Sequence, residues 1–152
     1  ANNRRVAELL SRMPHPYGQT DAQAFVGGSR SKERSGCHYA VALAEAGAFV
    51  GCAGLDMRQY GLELGYWIGE PYWGNGYATE VAHALVDLAF RATEIDRLHV
   101  SCRVINNASR RVIHKCGFQY VGQGMMDSVV AGRVPVELYR IETVGDGYLY
   151  HK

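Results

Sequence analysis

Trp73-Gly74-Asn75-Gly76-Tyr77-Ala78-Thr79-Glu80 lies between "LELGYWIGEPY", residues 62–72, and "VAHALVDLAFRAT", residues 81–93. The first flank is rich in strand-forming residues, and the second repeats apolar residues at helical spacing. Two glycines at a strand-to-helix junction let the backbone turn sharply and bring bare N–H groups close to whatever lies beyond. A helix N-terminus adds partial positive charge, so the segment reads as a cradle for an anion. The Walker pattern is excluded because no lysine follows the glycines. A dinucleotide fingerprint needs a third glycine where Thr79 stands, and Asp96 at a suitable distance downstream is weak support on its own. The remaining reading is Gln/Arg-x-x-Gly-x-Gly/Ala, here Trp73-x-x-Gly76-x-Ala78, with tryptophan in the first position.

Outward from this segment the chain reads as one α+β domain. Val6, Leu9, Leu10 and Met13 predict a first helix that ends at "PHPYG", and Asp21 predicts the cap of a second through Phe25 and Val26. Residues 27–37, "GGSRSKERSGC", read as a loop. "HYAVALAE", "AFVGCAGLD" and "LELGYWIG" then form an antiparallel meander, with Ala46-Gly47 joining the first two. Val81, Ala84, Leu85, Leu88 and Ala89 make the apolar stripe of a helix from Gly76 to about Thr93, which crosses over to the strand "LHVSCRVI". A shorter helix follows, with Asn106 or Asn107 as its N-cap and Gly117 as its stop, and "FQYVGQGMM" and "RVPVELYRI" close as a hairpin. Residues 143–152 carry little pattern, and the chain has no internal repeat.

Composition narrows the function classes. With 152 residues the chain suits a single compact domain. Sixteen Lys plus Arg face 15 Asp plus Glu, so no basic field points to nucleic acid. Cys37, Cys52, Cys102 and Cys116 are widely spaced and form no Cys-x-x-Cys, which favours reduced thiols and a cytoplasmic setting. No apolar run reaches the roughly 18 residues of a membrane span, and the polar start "ANNRRVAELL" is no secretory signal. His83, His99 and His114 share no metal-ligand spacing, so no metal is expected.

Four blocks in order carry a family resemblance: Glu63 to Ile68, Trp73 to Glu80, Asn106 to Ser109 in the form Asn-x-x-Ser, and Lys115 to Phe118. Together they resemble the GNAT superfamily of N-acetyltransferases, and within it the RimJ/RimL-like branch. The resemblance spans about His38 to Ile141, and "PHPYGQTDAQAF" resembles the substrate-side helices of that branch. It implies a GNAT fold with a mixed sheet, an acetyl-CoA-binding core over 38–141, substrate-side helices over 1–26 and a tail over 143–152. The opening strand with an "R-L-x-L-R" pattern has no counterpart, because this sequence begins at a helix. The resemblance further implies that acetyl-CoA is the co-substrate. Its pyrophosphate would lie on the amides of Gly74, Asn75, Gly76, Tyr77, Ala78 and Thr79. Its pantetheine arm would pair like an added strand along Tyr66, Trp67, Ile68 and Gly69, provided the next strand splays away. A backbone N–H near Ile68 would polarise the thioester oxygen. Ser109 would sit beside the sulfur as hydrogen-bond donor, and Asn106 would hold the pantetheine. Lys115 and Arg110, basic residues on a short helix, read first as surface charges and second as partners of the 3′-phosphate.

Glu63, on the strand leading to the thioester, is the candidate base, directly or through water. Its more ordinary readings are a solvated strand position or an arginine partner. Tyr66, Trp67, Trp73 and Tyr77 suit the role of core aromatics, Trp67 and Trp73 above the two tyrosines, with their backbone serving the cofactor. Glu80 reads as a first-turn residue that offsets the helix dipole. Three functions follow: acetylation of a protein N-terminal α-amine, acetylation of a small amine (amino acid, polyamine or aminoglycoside), or acyl-CoA binding without turnover. The closing hairpin offers an edge for pairing in a homodimer.

Overall fold

The computed structural model describes residues 3–10, 15, 18–23, 36–144 and 147–148. Helix α1 is Arg4–Ala7, and residues 19–23 are also helical. The strands are β1 (Gly36–Ala42), β2 (Phe49–Arg58), β3 (Gly61–Ile68), β4 (Arg97–Arg103), β5 (Gln119–Ser128), β6 (Gly132–Val144) and β7 (Gly147–Tyr148). Helix α2 is Tyr77–Ala92 and α3 is Asn107–Lys115. The sheet order is β1-β2-β3-β4-β6-β5, with β7 on the end of β6. Every pairing is antiparallel except β3 with β4, which α2 connects as a crossover.

Register decides the faces. Leu55 stands opposite Leu64 and Val100 opposite Tyr139, so these residues share one side of the sheet. Against that side pack Ala82, Leu85, Val86, Ala89 and Phe90 of α2 and Ile113 of α3, with Cys116 and Phe118 just beyond. The stripe of α2 is therefore turned from the expected one: Ala84 is exposed, while Val81 and Leu88 sit at the rim of the core. Periodicity predicts the helix, but the small Ala82 and Ala89, which allow close approach, choose its inward side. Glu63, His99, Ser101 and Arg103 alternate with core residues and so face the other way. On that outer side lies α1, where Arg103 Nη1 donates to the Glu8 carbonyl at 2.7 Å and Ser128 Oγ to that of Leu10 at 2.9 Å.

Several boundaries differ from expectation. Gly36 and Cys37, expected in a loop, open β1; a Cβ at Gly36 would lie 2.2 Å from the Leu55 carbonyl oxygen, so this glycine permits close strand contact. Residues 27–35 lie outside the described residues. The first helix ends at Ala7 and gives way to tighter turns, Leu9 N–H to Val6 O and Leu10 N–H to Ala7 O. Met13, Phe25 and Val26 lie outside the described residues. Asp21 sits inside its helical turn and reaches back to accept from the Gly18 N–H at 2.9 Å. Of the two asparagines, Asn106 caps α3, its Oδ1 accepting from Ser109 N–H at 3.1 Å, and Gly117 ends that helix at φ 85°. The final residues carry more structure than their composition suggests, since Thr143 pairs with Tyr148. No strand precedes β1 among the described residues.

Arg110 ties α3 to β6 through Glu137, Nε to Oε2 at 2.9 Å and Nη2 to Oε1 at 3.1 Å, and Tyr139 donates to the same carboxylate. Arg110 and then Tyr139 hold the Glu137 carboxyl below the usual range. A carboxyl depressed in the folded state adds stability above its unfolded pKa and loses it as pH falls through the folded one. Glu137→Gln should therefore lower the melting temperature at pH 7, and thermal melts from pH 7 downward should converge with wild type in acid. Parallel curves would contradict this coupling.

Candidate active site

β3 and β4 share a single register pair, Glu63 with His99, and then diverge. Beyond that rung, Gly65–Ile68 and Val100–Arg103 face one another across a cleft of ≈ 650 Å³. Because the gap lies within the sheet, it is a slot joining both faces. Its inner mouth is framed by residues 73–79 and the first turn of α3, and its outer mouth by Val6, Leu9, Leu10, Arg58, Glu63 and Met126.

The inner mouth is shaped by backbone. Gly74 and Gly76 hold φ of 82° and 79°, which side-chain-bearing residues avoid, and a Cβ on either would meet no atom within 4 Å. Gly76 is the N-cap of α2 and no side chain caps that helix, so the amides of its first turn are left to the cleft that Tyr77, Ala78 and Thr79 line. Asn75 turns back instead, its Nδ2 donating to the Tyr72 carbonyl at 3.0 Å and the Trp73 carbonyl at 3.3 Å. Trp73, expected in the core, is 42 % exposed; its Nε1 donates to the Ile68 carbonyl at 2.6 Å and braces the loop against β3. Trp67 is half-buried, edge-to-face with Phe49.

The edge of β3 divides its peptide groups by alternation. The Trp67 carbonyl points at β2, where a Cβ on Gly51 would lie 2.1 Å from it, so the peptide groups of Tyr66 and the N–H of Ile68 point into the slot, the Ile68 carbonyl being taken by Trp73. Gly69, expected to extend that edge, donates its N–H to Val50 O at 2.7 Å and is not among the residues lining the cleft.

Side-chain chemistry is split between the faces. On the inner face the Tyr66 hydroxyl meets Ser109 Oγ at 2.8 Å, and Asn106, which lines the same cleft, fixes Ser109 through its backbone N–H. Burial pushes the Tyr66 phenol above the usual range, so it stays protonated at neutral pH. From sequence the Tyr66 side chain reads only as a core aromatic, with no part for its hydroxyl, although its alternation with Leu62 and Leu64 puts it on the inner side. On the outer face Glu63 accepts from the Tyr60 hydroxyl, and its Oε1 lies 3.8 Å from Arg58 Nε. Neither Arg58 nor Tyr60 was singled out, because both depend on the tight β2–β3 turn.

Arg111 and Lys115 line the cleft; Arg110 does not, being committed to Glu137, the Val104 carbonyl and Asn107 Oδ1. No group of three or more metal-ligating side chains occurs among the described residues, and no described helix is long and apolar enough to cross a membrane. All four cysteines are unpaired, and burial raises Cys102 and Cys116 to about 11, which leaves little reactive thiolate. The site therefore offers a slot for an extended amide chain, an anion cradle at one end, a hydroxyl pair on one face and a carboxylate on the other.

Comparison with known proteins identifies the fold and the family. A relative in Bacillus subtilis, uncharacterized protein YkkB, is 35 % identical over 78 residues, 49 % of this chain and 45 % of its own. The chain spans about half the length of the curated relatives it matches. A putative ribosomal-protein-serine acetyltransferase from Vibrio cholerae superposes with a TM-score of 0.72 at 21 % identity, covering 84 % of this chain and 76 % of that one. Spermidine N-acetyltransferase from Vibrio cholerae, solved with CoA and spermine, superposes with a TM-score of 0.75 at 19 % identity, over 93 % and 84 % of the two chains. The family model described as acetyltransferase (GNAT) domain matches residues 1–119, and this chain belongs to that family.

Proposed function

We propose that the protein transfers the acetyl group of acetyl-CoA to a primary amine by direct attack in a ternary complex. The observation that carries this reading is the slot between β3 and β4, which opens on both faces of the sheet and so admits donor and acceptor from opposite sides. The residues fit acetyl-CoA: the uncapped first turn of α2 suits a pyrophosphate, the open edge at Tyr66 and Ile68 suits the amides of a pantetheine arm, and Arg111 and Lys115 suit further phosphate. When bound, acetyl-CoA supplies an activated thioester.

The chain's own residues then have distinct tasks. Glu63, on the outer face, takes the proton that the amine must lose, directly or through one water. The Ile68 N–H faces the acyl oxygen and stabilises the charge that develops there. Ser109, hydrogen-bonded to Tyr66, donates to the departing thiolate; because the Tyr66 phenol keeps its proton, the pair remains a donor. Asn106 holds Ser109 in place through the cap of α3. This hydroxyl pair favours turnover over a purely sensing role.

For the acceptor we favour a protein N-terminal α-amine over a polyamine. Of the neighbours above, one is described as acting on a ribosomal protein and the other on spermidine. Among the described residues the outer mouth holds one carboxylate, Glu63, beside Arg58 and Arg103, and an apolar wall of Val6, Leu9, Leu10 and Met126. Several cationic groups would meet like charge there, whereas one amine followed by a neutral peptide would not. An α-amine titrates near ~8 and a lysine-type amine near ~10.4, so the α-amine also asks less of its base. In this reading residues 1–26 serve the acceptor and 38–141 the donor, as one cytoplasmic domain.

Thiol release from acetyl-CoA against N-terminal peptides and polyamines should show turnover with peptides. Faster turnover with spermidine would overturn the acceptor assignment, and absence of both turnover and CoA binding would overturn the whole reading. Ser109→Ala should lower kcat by about tenfold or more with little change in CoA affinity. Gly76→Val, which strains φ and crowds the cradle, should weaken CoA binding by on the order of tenfold, measured by calorimetry.

A further inference from the structure

Resting on the acetyl-transfer reading, in which Glu63 faces the amine, we propose that Tyr60 is the positioning residue for Glu63. Its hydroxyl holds one carboxylate oxygen, Oε2, so that the other is presented beside Arg58 at the outer mouth of the slot. The local fold explains how. Arg58 pairs with Gly61, which leaves only Gln59 and Tyr60 in the turn, and Gly61 takes a φ of 129°. That tight return brings residues 58 and 60 to bear on Glu63, three positions beyond Tyr60.

The ring of Tyr60 is itself braced. It stands edge-on to His99, centroids 5.3 Å apart and planes at 78°. His99 is the register partner of Glu63 at the last closed rung before the strands diverge. A Cβ on Gly61 would lie 3.2 Å from His99 Nε2, so glycine there leaves room for the imidazole. Burial and then Arg97 lower the His99 pKa, which keeps the ring neutral and able to pack at pH 7. Tyr60, Glu63 and His99 thus meet at the vertex of the slot, where a small swing of the carboxylate would be largest in effect. Tyr60 is nevertheless 58 % exposed, so the core does not depend on its hydroxyl, and removing that group tests positioning without dismantling the fold.

The test is a double-mutant cycle on the full chain with the best acceptor, together with NMR of labelled tyrosine Cζ. Tyr60→Phe should lower kcat/KM for the amine by on the order of tenfold, with melting temperature and CoA affinity unchanged. In a Glu63→Gln background the same change should have no further effect, because the contribution passes through the carboxylate. Additive losses, or wild-type kinetics for Tyr60→Phe, would overturn the proposal. The NMR arm needs no turnover: desolvation and donation to Glu63 hold the Tyr60 phenol above the usual range, and Glu63→Gln should bring it down. Titration of wild-type Tyr60 like a free tyrosine would show that the bond is absent and end the proposal. A silent Glu63→Gln with that NMR shift intact would instead locate the failure in the role given to Glu63, and positioning would fall with it.

Discussion

The structure depends on one rung: β3 and β4 are joined only where Glu63 meets His99. Parallel strands joined by a crossover helix ordinarily pair along their length. Here the pairing stops, and the peptide groups beyond it stay in the sheet without a neighbouring strand. Such an edge is costly unless water or a ligand satisfies it, which makes an amide-bearing chain its natural complement. The same divergence gives access from both faces, so the geometry that creates a binding edge also creates the meeting point of donor and acceptor.

Something must keep the two arms at a fixed spacing, and α1 does so from the outer side. Asn3 Nδ2 and Arg5 Nη1 reach Glu70, just past the end of β3, at 3.1 and 2.5 Å. The Glu8 carbonyl is held by Arg103 at the end of β4, and the Leu10 carbonyl by Ser128 of β5. One short segment therefore touches both sides of the slot. The ion pair to Glu70 is largely exposed on the Arg5 side and contributes little by itself; the bonds to backbone carbonyls and the burial of Val6 and Ala7 carry more of the attachment. On the inner face the same task falls to the α2–α3 core and to the Arg110 tie to Glu137.

Much of this was legible from residues alone because local chemistry decided it. Gly74 and Gly76 marked a sharp strand-to-helix turn, Asn106 or Asn107 a helix cap and Gly117 its stop, and the β-rich residues around Glu63 a strand. What was not legible depended on rotation and long-range approach. The stripe of α2 turned because small residues set its contact side; Gly36, a loop residue by composition, is a close-packed strand position; and Trp73 left the core to brace a carbonyl. Arg111, and not Arg110, faces the cleft because Arg110 is drawn to Glu137 on a strand 27 residues away, a pairing that no local pattern announces. The contacts of Tyr66 with Ser109 and of Tyr60 with Glu63 are of the same kind, since each needs the fold to bring its partner near.

The central claim is that the open edge beyond Glu63 and His99 binds acetyl-CoA. Backbone amide NMR during a titration with CoA tests it most directly. The account predicts that Tyr66, Ile68 and residues 74–79 shift together and become protected from exchange, while β1 and β5 stay unchanged. Binding that leaves those amides unaffected, or that perturbs a surface elsewhere, would contradict it.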